Sequence, residues 1–174
     1  GGLTKAGSGT LMLTGLNTYA GDTRVAGGLL VGTNGQAFGT AGVTVDEAGA
    51  LMINTLVDST MTNDLMGAGA FDKRGEGSLF YGGDGSAFTG LTSVDGGRLS
   101  VNGTLGGRIA VGAGAVLAGD GTVGTTGLAS GARLAPGTSV GTLTVAGDLT
   151  LASGAFLDAE IGADGRADRI DVDG

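Results

Sequence analysis

Lys5-Ala6-Gly7-Ser8-Gly9-Thr10-Leu11-Met12-Leu13-Thr14-Gly15 returns 68 residues later as Lys73-Arg74-Gly75-Glu76-Gly77-Ser78-Leu79-Phe80-Tyr81-Gly82-Gly83. After a one-residue insertion the match resumes. Gly21, Thr23, Val25, Gly27, Gly28 and Leu30 correspond to Gly90, Thr92, Val94, Gly96, Gly97 and Leu99, and Tyr19 pairs with Phe88. Glycine matches come cheaply in a chain with 40 Gly among 174 residues. Shared Lys, Leu, Thr, Val and a second Leu, all in register, do not.

Working outward, a smaller unit recurs: a small residue, Gly and Ala, then an apolar stretch. It stands at Ala48-Gly49-Ala50-Leu51, Ala113-Gly114-Ala115-Val116-Leu117, Ser130-Gly131-Ala132-Arg133-Leu134 and Ser153-Gly154-Ala155-Phe156-Leu157. Between these units lie short apolar or alternating runs such as Leu29-Leu30-Val31, Val43-Thr44-Val45, Leu79-Phe80-Tyr81, Ile109-Ala110-Val111 and Leu143-Thr144-Val145, bounded by Gly turns. Helical spacing is nearly absent. Short strands and Gly turns with a period near twenty predict a solenoid, because one coil cannot bury its apolar side without neighbours. The expected fold is all-β: a right-handed parallel β-helix (β-solenoid) of roughly eight coils with a C-terminal cap, rising ~4.8 Å per coil. Leu, Val, Ile and Phe would fill its lumen, and Gly with Asn or Asp would take its corners.

Composition agrees. Collagen is excluded, since Gly shows no three-residue period and Pro136 is the single Pro. Apolar residues make up 41% of the chain and the mean hydropathy is +0.29, unlike a disordered polymer. With no Cys and no His, disulfide frameworks, thiolate chemistry and the commonest general base are all removed. A net charge of −8 argues against nucleic acid or an anionic membrane as partner. The charge-free window Val25 to Val45 contains six Gly and is too polar for a spanning helix. Gly1 at the start, with no leader behind it, predicts a fragment of a larger protein.

The first repeat, Leu3 to Gly21 with Val25-Ala26-Gly27-Gly28-Leu29-Leu30, resembles the strand repeat associated with autotransporters of Gram-negative bacteria, which use type V secretion. Leu134-Ala135-Pro136-Gly137-Thr138-Ser139-Val140-Gly141-Thr142-Leu143-Thr144-Val145-Ala146-Gly147-Asp148-Leu149 and the tail Asp168 to Gly174 are similar to the segment that ends such passenger domains. The second copy departs from the pattern, with Gly85-Ser86 where Asn17-Thr18 stands. The resemblance implies β-helix coils over 1–133, with repeats at about 3–31 and 71–101, and an autochaperone or cap region over 134–174. It further implies a non-enzymatic, surface-exposed stalk that helps the passenger fold during secretion and presents a more N-terminal effector. The implied partner is the protein's own outer-membrane β-barrel, absent from this chain, and the chain itself would be a monomer. A second reading is an adhesin that binds host or neighbouring cells directly. A third, weaker one is a β-helix polysaccharide lyase or hydrolase, disfavoured by the absence of Trp and the isolation of Lys and Arg.

No catalytic, cofactor-binding or metal-binding residue is assigned, and no cofactor is expected. Gly137-Thr138-Ser139-Val140-Gly141 has nucleophile-elbow spacing but lacks a His partner and a following helix. Gly119-Asp120-Gly121-Thr122-Val123-Gly124 has dinucleotide spacing but runs into another turn. Gly82-Gly83-Asp84-Gly85-Ser86-Ala87 opens like a calcium repeat, with Ala87 where Asp is needed. The acidic tail, including Asp168, Asp171 and Asp173, reads as a solvated edge that opposes aggregation. Four further expectations concern packing. Arg98 and Arg108 face Asp95 or Asp120; Tyr19, Phe80, Tyr81 and Phe88 stack in the lumen; Asn54 to Met66 protrudes as a loop; and Phe156, Leu157, Ile161, Ile170 and Val172 build a final two-strand cap.

Overall fold

The computed structural model describes all 174 residues, Gly1 to Gly174, as an all-β solenoid without helix. Every pairing between its strands is parallel, and each joins one coil to the next. Leu3 lies over Thr23, Thr23 over Val43 and Val43 over Leu65. Later coils range from the 17 residues between Val116 and Arg133 to the 27 between Leu143 and Ile170. About eight turns result.

Each coil visits three faces. The first is laid down by Leu3–Lys5, Thr23–Val25, Val43–Val45 and Leu65–Met66. The second is laid down by Thr10–Leu13, Gly28–Gly32, Gly49–Asn54, Ala70–Arg74 and Leu91–Val94. The third begins only at Ser59–Met61 and continues through Ser78–Tyr81, Arg98–Val101, Val116–Gly119, Arg133–Pro136 and Phe156–Leu157. In the later coils the chain bends from the first face to the second within single long strands, Thr104–Val111 and Thr122–Leu128. The pairing register breaks between Leu105 and Arg108, where Gly106 and Gly107 allow the bend. In the first two coils residues 14–22 and 33–42 cross the third face without strands. There the Asn17 amide Nδ2 donates to the Ala37 carbonyl at 2.7 Å, holding one crossing on the other.

Alternation along these strands sends one residue in two inward. The inward set forms one continuous core from Val25 to Val145, including Leu30, Leu51, Phe71, Leu79, Tyr81, Val94, Leu117 and Leu134. The recurring small-Gly-Ala unit makes a stacked corner: Gly114, Gly131 and Gly154 have φ of 79°, 80° and 85°. Their amides climb the axis, Gly114 N donating to Gly131 O and Gly131 N to Gly154 O. Positive φ is nearly free for Gly and costly for residues with a Cβ, so the unit repeats where the chain must turn.

Four packing expectations are corrected. Tyr81 and Phe88 are fully buried, but Tyr19 and Phe80 are only half-buried, because strand alternation turns Phe80 outward between Leu79 and Tyr81. Asp95 pairs with Arg74, not with Arg98 or Arg108, and the Asp120 carboxylate instead accepts the Thr138 hydroxyl; the coil register puts those groups side by side. Residues 54–66 do not protrude. They supply Ser59–Met61 and Leu65–Met66, with Met61 and Leu65 fully buried, and Leu56 and Val57 at the turn are the large apolar side chains left exposed. At the C-terminal end, Phe156–Leu157 and Arg169–Val172 do not pair with each other. Each continues its own face, on Arg133–Pro136 and Thr142–Val145, so Phe156, Leu157 and Val172 are each about half exposed.

Candidate functional site

The two copies of the repeat share a feature that their sequence pattern hides. In Leu3-Thr4-Lys5 and Phe71-Asp72-Lys73 the lysine sits two places after an inward apolar residue, and period-two alternation sends it inward too. Lys5 is only 7% exposed and Lys73 is fully buried. Each ammonium has three protons, and each finds three carbonyl oxygens at a corner of the solenoid. Lys5 Nζ donates to Ala6 O, Gly7 O and Gly27 O, all at 2.9 Å. Lys73 Nζ donates to Arg74 O at 2.9 Å and to Gly75 O and Gly96 O at 3.0 Å. Two acceptors come from the lysine's own turn and the third from the turn one coil later. The cage therefore bridges two coils.

The Gly-Gly pair of the repeat makes room for the cage. A Cβ on Gly28 would lie 2.7 Å from Lys5 Nζ, and one on Gly97 would lie 2.6 Å from Gly75 O, one of the cage carbonyls. Neither lysine has a carboxylate partner; the five ion pairs of the molecule all use Arg. A buried cation held only by carbonyl dipoles is costly to desolvate. Burial pushes the Lys73 ammonium down to about 8. The consequence for stability has a definite sign. Between about 8 and the ordinary 10.5 the folded chain gives up the proton while the unfolded chain keeps it, so stability rises with pH across that window. Urea denaturation at pH 7.5 and pH 10 is expected to show the native chain gaining on Lys73→Met; an unchanged difference would mean that Lys73 keeps an ordinary proton affinity.

The model of the passenger-associated transport repeat matches residues 3–31 and 71–101, the two stretches that carry the caged lysines and their Gly-Gly turns. Over 131 residues, or 63% of its length, the chain is 37% identical to the Adhesin BmaC autotransporter of Brucella suis biovar 1 (strain 1330). The chain carries two passenger-associated transport repeats and is similar to a stretch of an autotransporter adhesin. It spans about 4% of the length of that curated relative.

Within these coils the motifs with a chemical look resolve into turns. Gly137 to Gly141 links the strands Arg133–Pro136 and Thr142–Val145. The Asp84 carboxylate accepts its own loop's Ser86 amide at 2.9 Å. Asp168 accepts the amides of Gly141 at 2.9 Å and Glu160 at 2.7 Å, closing the hairpin in which Ile161 bridges Ala167 and which lengthens the last coil. Asp171 pairs with Arg169. No three metal-ligating side chains are gathered at one place. The largest cleft, about 500 Å³, is open and polar and runs beside this hairpin, lined among others by Arg98, Thr138, Asp158 and Glu160. Sequence reasoning noted the lysines only as isolated charges. Their two-residue spacing from Leu3 and Phe71 was the signal that placed them inside.

Proposed function

We propose that this segment is a non-enzymatic stalk of a surface-exposed passenger, held at the outer membrane by the protein's own β-barrel and presenting a more N-terminal effector, with 134–174 acting as its autochaperone. The supporting observation is the continuous core from Val25 to Val145, which makes the coils one rod. Leu151, Phe156, Leu157 and Val172 remain 43–52% exposed at its C-terminal end. A solenoid coil gains stability only from a neighbour, so the first coil to form carries its ordering entropy unaided. In that reading the long last coil, tied by Asp168, is the template on which earlier coils add.

Deleting 134–174 is expected to abolish surface display and slow refolding of the remaining coils, whereas removing residues 1–42 at the opposite end leaves the refolding rate unchanged. Equal effects of both deletions would overturn the autochaperone assignment. The name of the related adhesin favours direct adhesion as a second reading. Saturable binding of the purified segment to host or neighbouring cells would favour that reading over the stalk.

A further inference from the structure

The caged lysines go beyond a stalk role, because the apolar side chains of the lumen do little to single out one coil register. A two-residue slide of one strand over the next exchanges one inward apolar residue for another: Leu11 for Leu13, Leu79 for Tyr81, Leu99 for Val101. Gly-rich strands specify register weakly for the same reason. The ammonium does not tolerate the slide. A slide of two residues moves the chain by about 6.6 Å, more than twice a hydrogen-bond length. It would carry Gly96 O away from Lys73 Nζ and leave a buried charge one acceptor short.

The two copies also guard different corners. Leu3–Lys5 lies on the first face, so the Lys5 cage closes the corner between the first and second faces. Ala70–Arg74 lies on the second face, so the Lys73 cage closes the corner between the second and third. An offset of 68 residues is about three and a third coils of roughly 20 residues, which turns the motif by one face.

We infer that Lys5 and Lys73 are register latches: each fixes the pairing of two successive coils at one corner by requiring the third carbonyl of its cage from the coil that follows. The latch is positional and takes part in no chemistry.

The chain has no Cys of its own, so introduced pairs report register directly. Ser78 and Arg98 are register partners, whereas Phe80 and Arg98 come into register only after a two-residue slide. Disulfides bridge Cα atoms no more than about 7 Å apart, so each pair answers for one register. With Lys73 present, Ser78→Cys with Arg98→Cys is expected to oxidise and Phe80→Cys with Arg98→Cys to stay reduced. In a Lys73→Met background the slipped pair is expected to cross-link and the ratio of native to slipped product to fall about tenfold, the worth of one buried hydrogen bond. A Lys73→Met chain that forms only the native cross-link, with nothing changed but its melting temperature, would overturn the latch. Should Lys73→Met prevent folding, Lys5→Met in the terminal coil decides. Thr4→Cys with Arg24→Cys spans that register, and its yield is expected to fall about tenfold, an unchanged yield overturning the proposal.

Discussion

Phe71→Ala is expected to cost about 3–5 kcal/mol, the range for emptying an aromatic site in a packed interior. Phe71 is fully buried and sits in the lumen between Leu51 of the coil before and Thr92 of the coil after. The lumen of a solenoid cannot collapse sideways onto the vacancy, because strand pairing holds the walls at a fixed spacing on every face. The substitution also strikes a coil in the middle of the stack. Stability in such a protein is a sum over coils and the interfaces between them, so a weakened central interface loosens the coupling of the two ends. Thermal unfolding of Phe71→Ala is therefore expected to begin lower and to broaden or divide. Phe80→Ala, nine residues along and outward-facing, is the control, with an expected loss under about 1 kcal/mol. Equal losses at the two positions in denaturant titration would show that the lumen is not the main source of stability.

Gly119→Ala is expected to cost about 2–5 kcal/mol, combining left-handed backbone strain with overpacking. Gly119 ends the strand Val116–Gly119 with φ of 116°, and a Cβ there would be driven into the Val101 carbonyl of the preceding coil. That carbonyl already accepts the Gly121 amide at 2.9 Å, so moving it breaks a bond between coils. Gly114→Ala separates the two causes. Gly114 has φ of 79° but open space where its Cβ would go, so only the strain remains, about 1–2 kcal/mol. If the two variants melt together, crowding between coils contributes nothing at this corner.

The five ion pairs add little to this balance. Arg24–Asp46, Arg74–Asp95 and Arg133–Asp158 join adjacent coils at the surface, and exposed pairs of this kind are worth under about 1 kcal/mol each. The Arg133 guanidinium also lies 4.5 Å from the centre of the Phe156 ring, covering part of the exposed apolar end. The coils are held mainly by the lumen and by the parallel ladders that run along it.

Much of the fold was legible because its causes are local. A run such as Val43-Thr44-Val45 alternates with period two whatever surrounds it, and Gly131 between Ser130 and Ala132 marks a turn that only Gly makes cheaply. Among the expectations that failed, the ion pairs concern partners across coils. Arg74 meets Asp95 because 21 residues make one coil at that point, whereas other coils use 18, 22 or 27. With a variable coil length, no fixed spacing in the chain gives the neighbour of a given side chain.

By itself the sequence determined that this is a stack of short strands with glycine corners, that the motif beginning at Lys5 returns at Lys73, and that the chain has neither His nor Cys with which to do their chemistry. Only the tertiary structure decided which face each copy occupies and that both lysines lie inside, capped by carbonyls. The reason is physical. Strand and turn preferences are settled over a few residues, but the rotation of one coil on the next, and hence which carbonyl waits above which ammonium, is the accumulated length of all the turns between them.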